Sequence, residues 1–149
     1  MITDPHFHFW LGYYPDIPTY RSYMDADDSG ISPFARNLGV ASEATDWETS
    51  GVIASLFPDP RYILPLSELF KASPVRQEDL DEIARRCTAY GIAEPNTYIW
   101  YFHPTIRPTL GQTFGGYCYI GRFVANDFFW ESQTLLYPET FSTEAACGA

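Results

Sequence analysis

The stretch Pro5-His6-Phe7-His8-Phe9-Trp10-Leu11-Gly12 decides how the rest of the chain is read. Residues 6–11 alternate in the manner of a strand. Successive side chains of a strand point to opposite faces, so Phe7, Phe9 and Leu11 share one face and His6, His8 and Trp10 the other. Gly12 and the pair Pro15-Asp16 end it. The chain beyond the strand is acidic. Asp16, Asp25, Asp27, Asp28, Glu43, Asp46, Glu48 and Asp59 stand against only Arg21 and Arg36 through residue 60.

Outward from that strand, the pattern predicts a short helix from Pro18 to Ala26, with Ile17, Tyr20 and Met24 on one side. Asp27-Asp28-Ser29-Gly30 is a turn signal. Ser32 as a cap and Pro33 at the first helical position open a second helix, which Gly39 stops. Val52-Ile53-Ala54 reads as a strand, and Pro58-Asp59-Pro60 breaks the chain. Pro65 to Lys71 reads as one or two helical turns.

The strongest helical pattern opens at Ser73-Pro74 and closes at Gly91. Leu80, Ile83, Ala84 and Cys87 recur at the spacing of a core-facing stripe. Glu78, Asp79, Asp81 and Glu82 crowd its first half and Arg85 and Arg86 lie toward its end, which suits the helix dipole. Asp81–Arg85 and Glu82–Arg86 are also helix-surface pairs, so this charge is accounted for by helix stability. Thr97 to His103 and Tyr117 to Val124 read as strands. Pro104 to Gly116 then reads as a long hairpin loop that pairs them antiparallel. From Phe128 the chain holds apolar residues up to Phe141 and then becomes small and polar, with a mobile end expected. The expected fold class is α+β, a small antiparallel sheet packed with helices. The expected organisation is a single domain over 1–127 with a C-terminal extension over 128–149.

Composition bounds the function. A chain of 149 residues fits one domain. Its 46% hydrophobic and 17% aromatic content is that of a chain with a core, not a disordered one. The net charge of -10 opposes binding to nucleic acid or an anionic membrane, and it has two readings: association with something basic, or colloidal solubility alone. Cys87, Cys118 and Cys147 are odd in number and lack CxxC spacing, so they read as reduced thiols. No signal-like N-terminus and no apolar run of about 20 residues is visible, so the expected location is the cytoplasm.

Two chemical readings compete for the first strand. His6 and His8 lie two apart on a strand, which places both imidazoles to face one metal. The string Asp4 to Trp10 even looks like the first-strand metal motif of amidohydrolase barrels, but such a barrel needs about 250 residues. His103 is the one further histidine, and a metal site needs at least three ligands with supporting contacts. The other reading has both imidazoles on a half-exposed strand face, packed beside aromatic side chains. There is no GxSxG, and Gly115-Gly116 is followed by neither a Walker lysine nor a helix start. No catalytic residue and no cofactor is therefore expected. The acidic residues leave two readings of their own. Asp25-Ala26-Asp27-Asp28 and Glu43-Ala44-Thr45-Asp46-Trp47-Glu48 fit a docking surface with Trp47 as anchor, or a solvated loop whose tryptophan tucks inward.

A family resemblance favours docking. Phe9-Trp10-Leu11-Gly12 resembles the opening strand of immunity protein 22, a family of bacterial antidotes from polymorphic toxin systems. Tyr20 and Tyr23-Met24-Asp25 are similar to its tyrosine-bearing first helix. Ser32-Pro33-Phe34-Ala35-Arg36-Asn37-Leu38-Gly39-Val40 resembles its second, with Asn37 where the family has aspartate. Asp46-Trp47-Glu48 falls at its acidic and aromatic stretch. Tyr98-Ile99-Trp100-Tyr101-Phe102 and Tyr119-Ile120-Gly121-Arg122-Phe123 look like its last two strands. The likeness covers most of 7–124 and excludes the tail after Asp127.

The resemblance implies a small cytoplasmic α+β protein that binds and neutralises a cognate toxin domain, often a nuclease, without catalysis. The expected partner-binding residues are Trp10, Asp25, Asp27, Asp28, Glu43, Asp46, Trp47 and Glu48. The alternatives are a metal-dependent hydrolase built on His6 and His8, or an acidic nucleic-acid mimic. Oligomeric state is left open.

Overall fold

Phe7, Phe9, Trp10 and Leu11 are all closed off from solvent, and the strand that carries them forms the middle of the molecule. The computed structural model describes residues 2–40, 49–54, 65–66 and 73–143. Its strands are β1 (His6–Gly12), β2 (Ser50–Ala54), β3 (Thr97–Tyr101), β4 (Thr113–Phe114) and β5 (Tyr117–Val124). They make one antiparallel sheet in the order β2-β3-β1-β5-β4. The helices among the described residues are α1 (Ile17–Met24), α2 (Pro33–Leu38), α3 (Leu80–Ala89) and α4 (Asp127–Leu136). This is an α+β fold, and none of these helices is long and apolar enough to cross a membrane.

The alternation of β1 makes two cores. Phe7, Phe9 and Leu11 face a layer built by Ile83 and Cys87 of α3, Phe129 and Trp130 of α4, and Val75. Trp10 faces the opposite layer with Phe34 and Ala35 of α2 and Ile17, Tyr20 and Met24 of α1. Both surfaces of the strand are apolar enough to bury, and that earns it the centre of the sheet.

This central position corrects the expected hairpin. β3 and β5 are not neighbours, because β1 lies between them and pairs antiparallel with each. The two therefore run parallel to one another, and the chain must cross the sheet to join them. It does so past His8, which bonds the His103 carbonyl, and packs Ile106 on the α1–α2 layer. Gly111 and Gln112 then pair with Tyr119 and lead into β4.

The Ser32 hydroxyl accepts from Ala35 N at 3.1 Å to start α2, and Gly39 ends it at φ 82°, where a side chain would be strained. The third helix begins later than the sequence predicts. A single 3-10 turn occupies Gln77–Asp79, and Val75 before it is buried. The reason lies in Asn126, whose side-chain amide donates to the carbonyls of Ser73 and Val75, both at 3.0 Å. Those carbonyls hold the segment against the start of α4, where the Asn126 side-chain oxygen accepts from Phe129 N at 2.7 Å.

The described chain beyond residue 127 packs against the sheet. Phe129, Trp130 and Phe141 pack into the same core as β1, and Ile2 bridges to Phe141. The described residues beyond 127 belong to the domain. The turns expected over Pro65 to Lys71 lie mostly outside the described residues, as do Cys147 and the terminal residues expected to be mobile.

Candidate interaction surface

The histidines are the first feature to place, because metal chemistry depends on them. His8 is buried, with Nδ1 2.6 Å from the Tyr119 hydroxyl and Nε2 3.2 Å from the His103 carbonyl. A carbonyl only accepts, so Nε2 carries the proton and Nδ1 receives the Tyr119 O–H. Both ring nitrogens are thus engaged within the fold. Burial, above all, lowers the His8 pKa to about 4 and keeps the ring neutral. The aromatic neighbours expected of His8 are present, with the Trp10 and Tyr119 ring centroids at 6.2 and 5.8 Å, but its face is buried under them and not half-exposed as the sequence suggested.

His6 is half-buried and turned to Asp4, with Nδ1 2.6 Å from Oδ1. Burial works against the charged Asp4 carboxylate, but its bonds to His6 and the Arg122 guanidinium outweigh this and lower its pKa. His103 Nδ1 accepts from the backbone N–H groups of Thr105 and Ile106 at 3.2 and 3.3 Å. Among the described residues no group of three His, Cys, Asp or Glu side chains is placed to hold a metal ion. The cavity that His6 and His103 share with Arg122 is about 80 Å³, well below the roughly 300 Å³ at which ligand pockets begin.

The expected docking residues separate into three groups. Trp10 is fully buried and packs edge-on against Phe34 and Phe114 at 5.3 and 5.9 Å. This corrects its assignment as a partner contact: it sits on the central strand under α2, where no partner reaches it. Asp25, Asp27 and Asp28 are exposed on the connection between α1 and α2. The Asp27 carboxylate is occupied internally. It accepts from Ser29 N at 2.8 Å and from Arg36 Nη2 at 2.6 Å. The Ser29 and Arg36 bonds hold its pKa well below the usual carboxylate range. Asp27 is therefore the tie that shapes the loop, and Asp25 and Asp28 form no ion pair with a described residue. Glu43, Asp46, Trp47 and Glu48 lie outside the described residues.

Sequence reasoning missed one surface feature, the outer side of α4. Phe128, Leu135 and Leu136 are 80%, 82% and 67% exposed. The signal was present: after Asn126, apolar residues fall on both sides of a helical period, at Phe128 and Leu135 as well as at Phe129 and Trp130. No family model matches the chain, and neither a curated protein nor a solved structure does.

Proposed function

We propose that this protein is an immunity protein that binds a cognate bacterial toxin domain, a basic nuclease domain in the first instance, and neutralises it by stoichiometric docking in the cytoplasm, without catalysis. One observation carries the reading. The chain has a net charge of -10, and Asp25 and Asp28 stand exposed with no cation of the described fold to neutralise them. A surface excess of carboxylates weakens a compact fold through self-repulsion and speeds encounter with a positively charged partner. Glu43, Asp46, Trp47 and Glu48 belong to the same proposed surface, and the resemblance to immunity protein 22 supplies the class of partner. The engaged ring nitrogens of His8 weigh against the hydrolase alternative.

Co-expression with the product of the gene immediately upstream tests the proposal, since the resemblance implies a toxin gene beside this one. Growth is expected to recover and the two chains to purify as a 1:1 complex. Persistent growth arrest with no complex would contradict it.

A further inference from the structure

We infer that the outer face of α4 is a docking site for a basic, amphipathic surface of a protein partner. The inference rests on the immunity reading and supplies the apolar anchor that the reading lost when Trp10 proved to be buried. α4 has two apolar sides. Phe129 and Trp130 face the core, and Gln133, one turn further on, is also buried. Phe128 and Leu135 are seven residues apart, two turns on the opposite side, and Leu136, two turns beyond Phe129, is exposed at the end of the helix. A helix that is apolar on both sides is ordinarily covered on both. Three large apolar side chains left this exposed on one ten-residue helix are more than scattered surface residues, and exposed apolar patches on a monomer are often functional.

Charge identifies the occupant. Asp127 and Glu131 are exposed on the helix itself and Glu139 just beyond its end. From Phe123 to Ala149 the sequence contains no lysine or arginine. Among the described residues a neighbouring cation, Arg76, is shared between Glu78 at 3.8 Å and Asp127 at 4.0 Å, and its Nε donates to the Ala125 carbonyl. An acidic rim around an apolar centre suits a partner with cations around apolar side chains. A second copy of this chain suits it poorly, because a two-fold contact sets the same patch against itself and opposes its acids. A stable interface buries about 800 Å² per partner, so this patch is the centre of a larger contact. α4 packs on the layer opposite α1 and α2, so this site is distinct from Asp25 and Asp28.

The test measures binding of the toxin domain encoded immediately upstream to the full chain and to a Phe128→Ser/Leu135→Ser/Leu136→Ser variant. All three side chains are exposed, so the thermal midpoint should hold. Affinity should fall at least tenfold. A Glu131→Lys/Glu139→Lys variant, which leaves the apolar centre intact, should slow association at low salt. Unchanged affinity and association rate in both variants would overturn the α4 site and leave the immunity reading standing. Failure of the wild-type chain to bind would remove both. A wild-type dimer in sedimentation that the triple variant abolishes would make the occupant a second copy and overturn the assignment.

Discussion

His8 shows how much one side chain carries here. Its pKa falls from 6.5 to about 4 on folding, chiefly because burial penalises the imidazolium. Between those values the unfolded chain takes up a proton that the folded chain refuses, so stability is full above pH 6.5 and falls as the pH drops toward 4. The loss attributable to His8 approaches about 3 kcal/mol. Urea unfolding at several pH values should show a steeper loss below pH 6.5 in the wild type than in His8→Gln, and parallel curves would contradict this. Trp10→Ala should cost about 3–5 kcal/mol by cavity formation, seen as a lower denaturation midpoint. The sequence made the strand and its two faces legible. It could not show that Tyr119, 111 residues from His8, reaches Nδ1, because no local spacing encodes that contact. Nor could it separate Trp10 as anchor from Trp10 as core, since both readings place an aromatic side chain on one face of a strand.

Among the elements, β5 carries a bulge that explains much of the sheet. Phe9 pairs with Gly121 and Trp10 with Tyr119, which leaves Ile120 extra. The shift turns Phe123 into the α3–α4 core and sets Arg122 opposite His8. Gly121 sits at φ 135°, and a Cβ there would strike the Arg86 guanidinium. Arg86 Nη1 donates to the Ile120 carbonyl at 2.8 Å, while its Nε donates to Glu82 at 3.0 Å. The helical charge pattern was legible as helix support, yet Arg85 pairs with Glu82 instead of Asp81 and Arg86 reaches across to the sheet. Arg86→Ala removes a donor to a part-buried carbonyl and should cost about 1–3 kcal/mol by chemical denaturation. Gly121→Ala should destabilise through both its backbone and its contact, and a neutral result in either variant would deny the bulge this role. The β3–β5 hairpin failed because nearness in sequence favours pairing only until a strand apolar on both faces competes for the same edge.

For the molecule as a whole, the layers on both sides of the sheet make the segment beyond residue 127 part of the core. Truncation after Asp127 removes Phe129, Trp130 and Phe141 from their cluster and should abolish cooperative thermal unfolding; an unchanged midpoint would restore the extension as a separate piece. Fold class and the Phe7-Phe9-Leu11 face of β1 were legible because periodicity reports burial directly, whereas the burial of His8 and Trp10 on the other face was not. The proposed interaction surface was legible only as charge, since composition records how many acids a chain has and not which are tied up, as Asp27 is by Ser29 and Arg36. The central claim is that this acidic chain docks onto a basic toxin domain. Its most direct test is a calorimetric titration of that domain, the upstream gene product, at about 50 and about 300 mM salt. The predicted result is a 1:1 complex whose affinity falls about tenfold or more as salt rises, with a shallower fall in Asp46→Lys/Glu48→Lys. Absence of binding, or an affinity indifferent to salt, would contradict it.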